Sequence, residues 1–267
     1  MRIFESLGKK KAVLGMVHLG AMPGTPFYEE GSYEATFDKA LGDATALYQG
    51  GAEGCLVQTV DRVYSTKDES DPARVAGVSN IVRAIAKATG PEFQIGVQIM
   101  RNANQASLAV AKVCDASYVR CGALVGMTLS AHGMVKANPL EVTAYRAALG
   151  AKHIKLIAEV DSMHFKWLGG KPVSEVALAA RYAGADAVSL GDPDVEVTIR
   201  MIRDVRKAAP NLPIVLCGYT NFDNAARLLA EADAAFVGTV LETGKWGGPI
   251  DIQRVREYMK IISTLKT

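Results

Sequence analysis

Pro213-Ile214-Val215-Leu216-Cys217 runs directly into Gly218-Tyr219-Thr220-Asn221, and about twenty residues later Ala235-Phe236-Val237 runs into Gly238-Thr239. Both are short apolar strand-like runs that stop at a glycine and a hydroxyl. Phe222 to Ala230 has helical character, so backbone N–H groups at its start could face an anion. The last two strand loops of many (β/α)8 barrels hold a phosphate in this way. Gly218 and Gly238 also suit tight turns with no ligand at all.

Working outward, further apolar runs rich in Val, Ile and Leu begin near Ala12, Gly54, Phe93, Ser117, His153 and Ala185. With Pro213 and Ala234 they make eight, spaced about thirty-two residues apart, which is the length of a βα unit. Continuous apolar runs such as Val13 to Leu19 suit parallel strands covered on both faces. Gly51-Ala52, Gly150-Ala151 and Gly184-Ala185-Asp186 end helices ahead of the next strand. Eight such units close most simply into an α/β (β/α)8 TIM barrel occupying residues 1–267 as one domain. An open doubly wound sheet would carry a glycine-rich dinucleotide turn after its first strand. Gly20-Ala21-Met22-Pro23-Gly24 does not fit that fingerprint.

Composition narrows the function classes. The chain has 267 residues, 49% of them hydrophobic, and a net charge of +2 with both signs scattered, so no basic stripe marks a nucleic-acid partner. No apolar run is long enough to span a bilayer, and the opening Met1 to Lys11 lacks a leader's apolar core, so a cytoplasmic protein is expected. Cys55, Cys114, Cys121 and Cys217 have no metal-finger spacing and read as buried thiols of a reducing compartment. Barrels commonly self-associate, so a homo-oligomer is expected.

In a barrel the chemistry gathers where strands end. The first strand ends in His18, whose ordinary pKa suits acid–base work, although a packed histidine bonded to a carbonyl reads the same. Asp61 after the second strand and Glu159 on the fifth could converge as base and proton donor; each could equally pair with Arg101 or Arg120. Glu159, Asp161 and His164 on the fifth strand, with Asp61 opposite, are ligand types suited to a divalent metal, but their spacing is no specific metal signature. The cofactor therefore stays open. Arg101 and Arg120 could grip a carboxylate or second phosphate, or form salt bridges under the loops. Lys155 lies early in its strand, too deep for Schiff-base chemistry. The sixth strand ends at Asp192; His132 lies in a long loop, and Trp167 and Trp246 read as loop packing.

Gly15-Met16-Val17-His18-Leu19-Gly20-Ala21-Met22-Pro23-Gly24-Thr25-Pro26 resembles the signature start of the BtpA/SgcQ family. The likeness continues through Gly96 to Asn102, Tyr118-Val119-Arg120, Ala158-Glu159-Val160 with His164, and Phe236 to Asp251. It implies a TIM barrel with a loosely defined enzyme activity, one branch being linked to photosystem I accumulation and another to sugar uptake. It carries His18, Asp61, Arg101, Asn102, Arg120 and His164 over as site residues. Gly218, Thr220, Gly238 and Thr239 are the phosphate candidates. The expected partner is a small phosphorylated sugar or nucleoside-like metabolite, processed by an isomerase, lyase or hydrolase; the rival reading is a non-catalytic assembly factor for a membrane complex. This chain departs from the family pattern at Ala103 for Asp, Gly122 for Asn, Met163 for Lys, Glu159 for Asp and Glu242 for Lys. Either the substrate differs from that of the main family or some catalytic power has gone.

Overall fold

The structure, a computed structural model, describes residues 11–265. The Met1 to Lys11 opening falls largely outside them. Within the described residues the chain alternates strand and helix. β1 (Ala12–Leu19), α1 (Ser32–Gly50), β2 (Gly54–Thr59), α2 (Pro72–Ala88), β3 (Gln94–Gln98), α3 (Asn104–Val113) and β4 (Tyr118–Cys121) form the first half. An antiparallel hairpin, β5 (Met127–Ser130) and β6 (Gly133–Lys136), then interrupts the alternation. It resumes with α4 (Pro139–Ala148), β7 (Lys155–Asp161), α5 (Val173–Tyr182), β8 (Ala187–Leu190), α6 (Val195–Ala208), β9 (Ile214–Cys217), α7 (Ala225–Glu231), β10 (Ala234–Val237) and α8 (Ile252–Ser263).

Eight parallel strands close in the order β1-β10-β9-β8-β7-β4-β3-β2, so the barrel read from the sequence is the fold observed. Side chains alternate across each strand. Outward residues such as Val13, Val17, Val57 and Val119 pack under the helices, and inward ones fill the barrel: Leu14, Met16, Leu56, Tyr118, Ile157 and Phe236. Each fully buried side chain of this size contributes about 1.5–3 kcal/mol relative to exposure. Tyr118 reaches across the interior and donates from its hydroxyl to the Cys55 carbonyl at 2.8 Å. Gly96 makes room for that ring, since a Cβ there would lie 2.1 Å from Tyr118 Cε2.

The same alternation that makes the lower layers apolar makes the last inward layer polar. His18, Gln58 and Gln98 are register neighbours across β1, β2 and β3. Arg120, Glu159 and Ser189 continue the layer, and all three are buried. Gln58 Nε2 donates to Gln98 Oε1 at 2.7 Å. A ring of hydrogen-bonding groups is thus set on an apolar plug, at the end where the strand-to-helix loops begin.

Several boundaries differ from expectation. β7 ends at Asp161, so His164 lies in the following loop rather than on the strand, and β8 ends at Leu190, before Asp192. The helix expected from Phe222 begins only at Ala225, because Asn221 and Asn224 build a tight turn. The Asn221 carboxamide oxygen accepts from the N–H groups of Asp223 and Asn224, and Asn224 Oδ1 accepts from Asn221 N–H. Those N–H groups are spent on the turn, so an anion at this corner must rely on the glycine segments instead. His132 sits at the turn of the hairpin. Its Nε2 lies 3.2 Å from the Arg62 carbonyl and its ring stands edge-on to Tyr64, so the hairpin braces the loop after β2.

Candidate active site

Two cavities open above the polar layer. One, of about 830 Å³, is lined by His18, Arg120, Gly218, Thr220, Gly238 and Thr239. The other, of about 660 Å³, is lined by Asp61, Arg62, Tyr64 and Arg101. Gln58, His164 and Trp246 line both, so the two are halves of one cleft.

His18 is held from two sides. Its Nδ1 lies 3.0 Å from Glu242 Oε1, and its ring centroid is 5.3 Å from that of Trp246. Glu242 also accepts from the Gly247 N–H at 2.8 Å, so one buried carboxylate ties the imidazole to the loop that carries Trp246. Burial alone would raise the Glu242 carboxyl, but the bonds from His18 and Gly247 outweigh it and hold it below the ordinary range. A carboxylate on Nδ1 favours the tautomer with the proton there and leaves Nε2 for the cavity. The family pattern's lysine at this position could not make that pair. The sequence read Trp246 as loop packing, yet it is 58% exposed and roofs both halves of the cleft.

The other candidates sort by their partners. Asp61 forms a buried ion pair with Arg74 of α2. Arg74 also donates to Thr59 Oγ1 at 2.7 Å and to the Met100 carbonyl at 2.9 Å. Burial pushes the Asp61 carboxyl up against the attraction of Arg74. Glu159 is fully buried, lies 2.9 Å from Arg120 Nη2 and accepts from Ser162 Oγ at 2.6 Å. Arg120 in turn lies over the Phe236 ring at 5.0 Å. Asp61 and Glu159 are therefore each neutralised by a separate arginine, and Asp161 by Lys166. Among the described residues no cluster of three or more His, Cys, Asp or Glu is arranged to hold a metal ion.

Asn102 is buried and accepts from Ala123 N–H at 2.8 Å and from Asn104 Nδ2 at 3.1 Å, so its amide oxygen is occupied in fixing the loop after β4. A Cβ at Gly122 would meet the Arg101 carbonyl at 2.6 Å, so the Asn of the family pattern cannot stand here without moving that loop. Met163 replaces a cation with an exposed apolar side chain on the cavity wall. Unlike Arg74 and Arg120, Arg101 has no ion pair among the described residues. Its guanidinium lies over the Tyr64 ring at 5.2 Å.

On the opposite wall Gly218 and Tyr219 both take left-handed backbone, φ 91° and 62°. A tyrosine in that region is strained, which marks a turn held by its surroundings. A Cβ at Gly238 would lie 3.4 Å from His18 Cε1 and 3.3 Å from Met16, so a side chain there would press on both. All four cysteines are free and buried, and burial pushes the Cys217 thiol up to about 12, so none is a ready nucleophile.

His164 is neutral at pH 7. Burial lowers its pKa from 6.5 to about 4, with Arg120, Arg101 and His18 adding to the effect and Glu159 opposing it. Between pH 6.5 and 4 the unfolded chain binds a proton that the folded one refuses, so stability falls as pH drops through this window and is unaffected by the group above it. The full loss is on the order of 3 kcal/mol below pH 4. Urea unfolding at pH 7.5 and 5 should show a smaller acid loss for His164→Gln than for the wild type; equal losses would refute the buried neutral imidazole.

A sequence profile of the BtpA family matches residues 9–264. The chain belongs to the BtpA family. An uncharacterized protein of Archaeoglobus fulgidus is 29% identical over 255 residues, covering 94% of this chain and 98% of the relative. The photosystem I biogenesis protein BtpA of Synechocystis is 25% identical over 270 residues, covering 98% and 92%. Among solved structures, Mycobacterium tuberculosis tryptophan synthase superposes with a TM-score of 0.63 at 16% identity over 99% of this chain and 97% of that one. Thermus thermophilus phosphoribosyl anthranilate isomerase gives 0.57 at 14% identity, covering 96% and 100%. At such identity the likeness carries the fold alone. Among the described residues no helix is long and apolar enough to cross a membrane.

Proposed function

We propose that this BtpA-family barrel is an enzyme acting on a small phosphorylated sugar or nucleoside-like compound, by proton transfer next to a carbonyl or ring oxygen. The observation that carries this reading is the composition of the larger cavity: bare backbone at Gly218 and Gly238, the Thr220 and Thr239 hydroxyls, and beside Gly238 at the β1–β10 seam the His18 imidazole backed by Glu242. The phosphate would take the backbone N–H groups and the Thr220 and Thr239 hydroxyls. His18 Nε2 would then stand on the reacting part of the ligand, with Arg120 below it and Trp246 excluding water. Tethering one end of the ligand fixes the other against the imidazole, which is where most of the rate gain of such a site arises. Isomerisation removes a proton from the carbon beside the carbonyl, retro-aldol cleavage removes one from a hydroxyl, and glycosidic hydrolysis places one on the glycosidic oxygen, so an imidazole can serve in each. A fold shared with phosphoribosyl anthranilate isomerase, a protein named for a phosphorylated sugar, supports the reading by analogy.

A thermal-shift screen against sugar phosphates, nucleosides and inorganic phosphate tests it. A ligand at about a hundred times its Kd adds roughly 2.7 kcal/mol, or several degrees for a chain of this size. The shift should vanish in Gly238→Val, whose side chain would enter the His18 wall; a shift that persists in a folded Gly238→Val removes the phosphate from this corner.

The second reading is a non-catalytic assembly or stability factor for a membrane complex. It is favoured by the name of the Synechocystis relative and by Leu129 and Met134, a cross-strand pair on the hairpin that is 69% and 42% exposed. His18→Ala separates the two, since a surface role survives it and an enzymatic one does not. Asp61→Ala is unsuited to this purpose because it breaks a buried ion pair.

A further inference from the structure

We propose that the smaller half of the cleft is a second anion subsite centred on Arg101, so that the ligand carries an anionic group at each end. This rests on the phosphate reading of the larger half for where the first end lies, but on its own observations for the second.

Arg101 lines the cavity, and two of its nitrogens, Nε and Nη1, are buried with no hydrogen-bond partner among the described residues. Buried guanidinium N–H groups without acceptors are expensive, and proteins tolerate them where a ligand supplies the acceptor. The neighbouring carboxylates do not supply one. Asp61 is held by Arg74, and Glu159 by Arg120. His164 is neutral, Glu29 is exposed on the outer lip, and Arg62 on the same wall adds a second cation lying 4.8 Å over the Phe27 ring. The local balance is positive. The guanidinium lies over the Tyr64 ring at 5.2 Å, and the Tyr64 hydroxyl accepts from the Asp61 N–H at 2.9 Å, so Arg101 packs on a ring that is itself tied to the loop backbone. A planar, oriented guanidinium matches a carboxylate or a phosphate through paired N–H groups. The contrast with Arg120 is the decisive point. Both arginines are family-type positions at strand ends; Arg120 leaves only Nε without a partner and is neutralised by a fully buried glutamate, whereas Arg101 leaves two nitrogens and has no carboxylate partner among the described residues.

Binding constants for four probes test the proposal: glycerol 3-phosphate with one anionic end, 3-phosphoglycerate with phosphate and carboxylate, fructose 1,6-bisphosphate with two phosphates, and malonate with carboxylates alone. One or both two-ended phosphates should bind the wild type at least tenfold more tightly than glycerol 3-phosphate, and the one favoured tells whether the second group is carboxylate or phosphate. Arg101→Gln should erase that advantage and leave glycerol 3-phosphate unchanged; Gly238→Val should weaken all three phosphates. Arg101→Lys, which keeps the charge and loses the paired geometry, serves if the glutamine variant does not fold and should retain part of the advantage. If neither variant alters the binding of any two-ended probe or of malonate, the subsite is refuted, whatever phosphate does. If glycerol 3-phosphate fails to bind the wild type while malonate binds in an Arg101-dependent way, the Arg101 subsite stands and the phosphate reading falls.

Discussion

Arg74→Met should destabilise the protein by about 3–5 kcal/mol, the loss expected when one partner of a buried ion pair is removed and the other charge is left behind. Arg74 and Asp61 are both at most 9% exposed, and the guanidinium also satisfies Thr59 Oγ1 and the Met100 carbonyl. The pair therefore pins the ends of β2 and β3 together under the Arg101 loop. The double variant Arg74→Met/Asp61→Leu should recover much of the loss, since well-packed apolar replacements of a buried pair are often neutral. Urea unfolding of the two single variants and the double gives the coupling. A loss below about 1 kcal/mol for Arg74→Met would show Asp61 free of its partner and return it to the list of candidate bases.

The second large effect is expected at Glu242. A glutamine there has one acceptor oxygen for two donors, His18 Nδ1–H and Gly247 N–H, and presents its NH2 to whichever is left. If the NH2 faces His18, the imidazole must carry its proton on Nε2, the wrong tautomer for a base. The comparable change in a serine-protease triad costs on the order of 10⁴ in turnover, so a loss of about 10²–10⁴ in kcat is the expectation for Glu242→Gln. The substrate is whichever compound the ligand screen identifies, and KM should change far less than kcat. A purely structural role would instead move the unfolding midpoint and leave kcat of the folded fraction intact.

The parts of this protein that were legible in its sequence are those written in local periodicity. Eight apolar runs at βα spacing lead to the barrel because each strand is buried on both faces and says so in consecutive Val, Ile and Leu. The polar layer was half legible: His18, Arg120 and Glu159 stand out as ionisable groups at strand ends, but Gln58 and Gln98 look like ordinary polar termini until register joins them. Partnerships were not legible. Asp61 meets Arg74 across a loop and a helix start, and no spacing rule links them. One signal was available, since Arg74 sits in the first turn of α2 where the helix dipole disfavours a cation and no acid accompanies it, which points to a carboxylate elsewhere. Glu242 was visible only as a departure from a family pattern. Its meaning depends on His18 at the other end of the chain, and sequence reasoning cannot measure that distance.

His18 and Glu242 are 224 positions apart and meet at the seam where β1 pairs with β10. Closing the ring of strands and joining the imidazole to its carboxylate are thus one event. A ribosome-bound chain that has emerged only as far as β9 already contains every other ionisable candidate of the cleft, yet its histidine has nothing to orient it. Under the enzymatic proposal, competence would arrive last and all at once, leaving an unfinished molecule no partly working site.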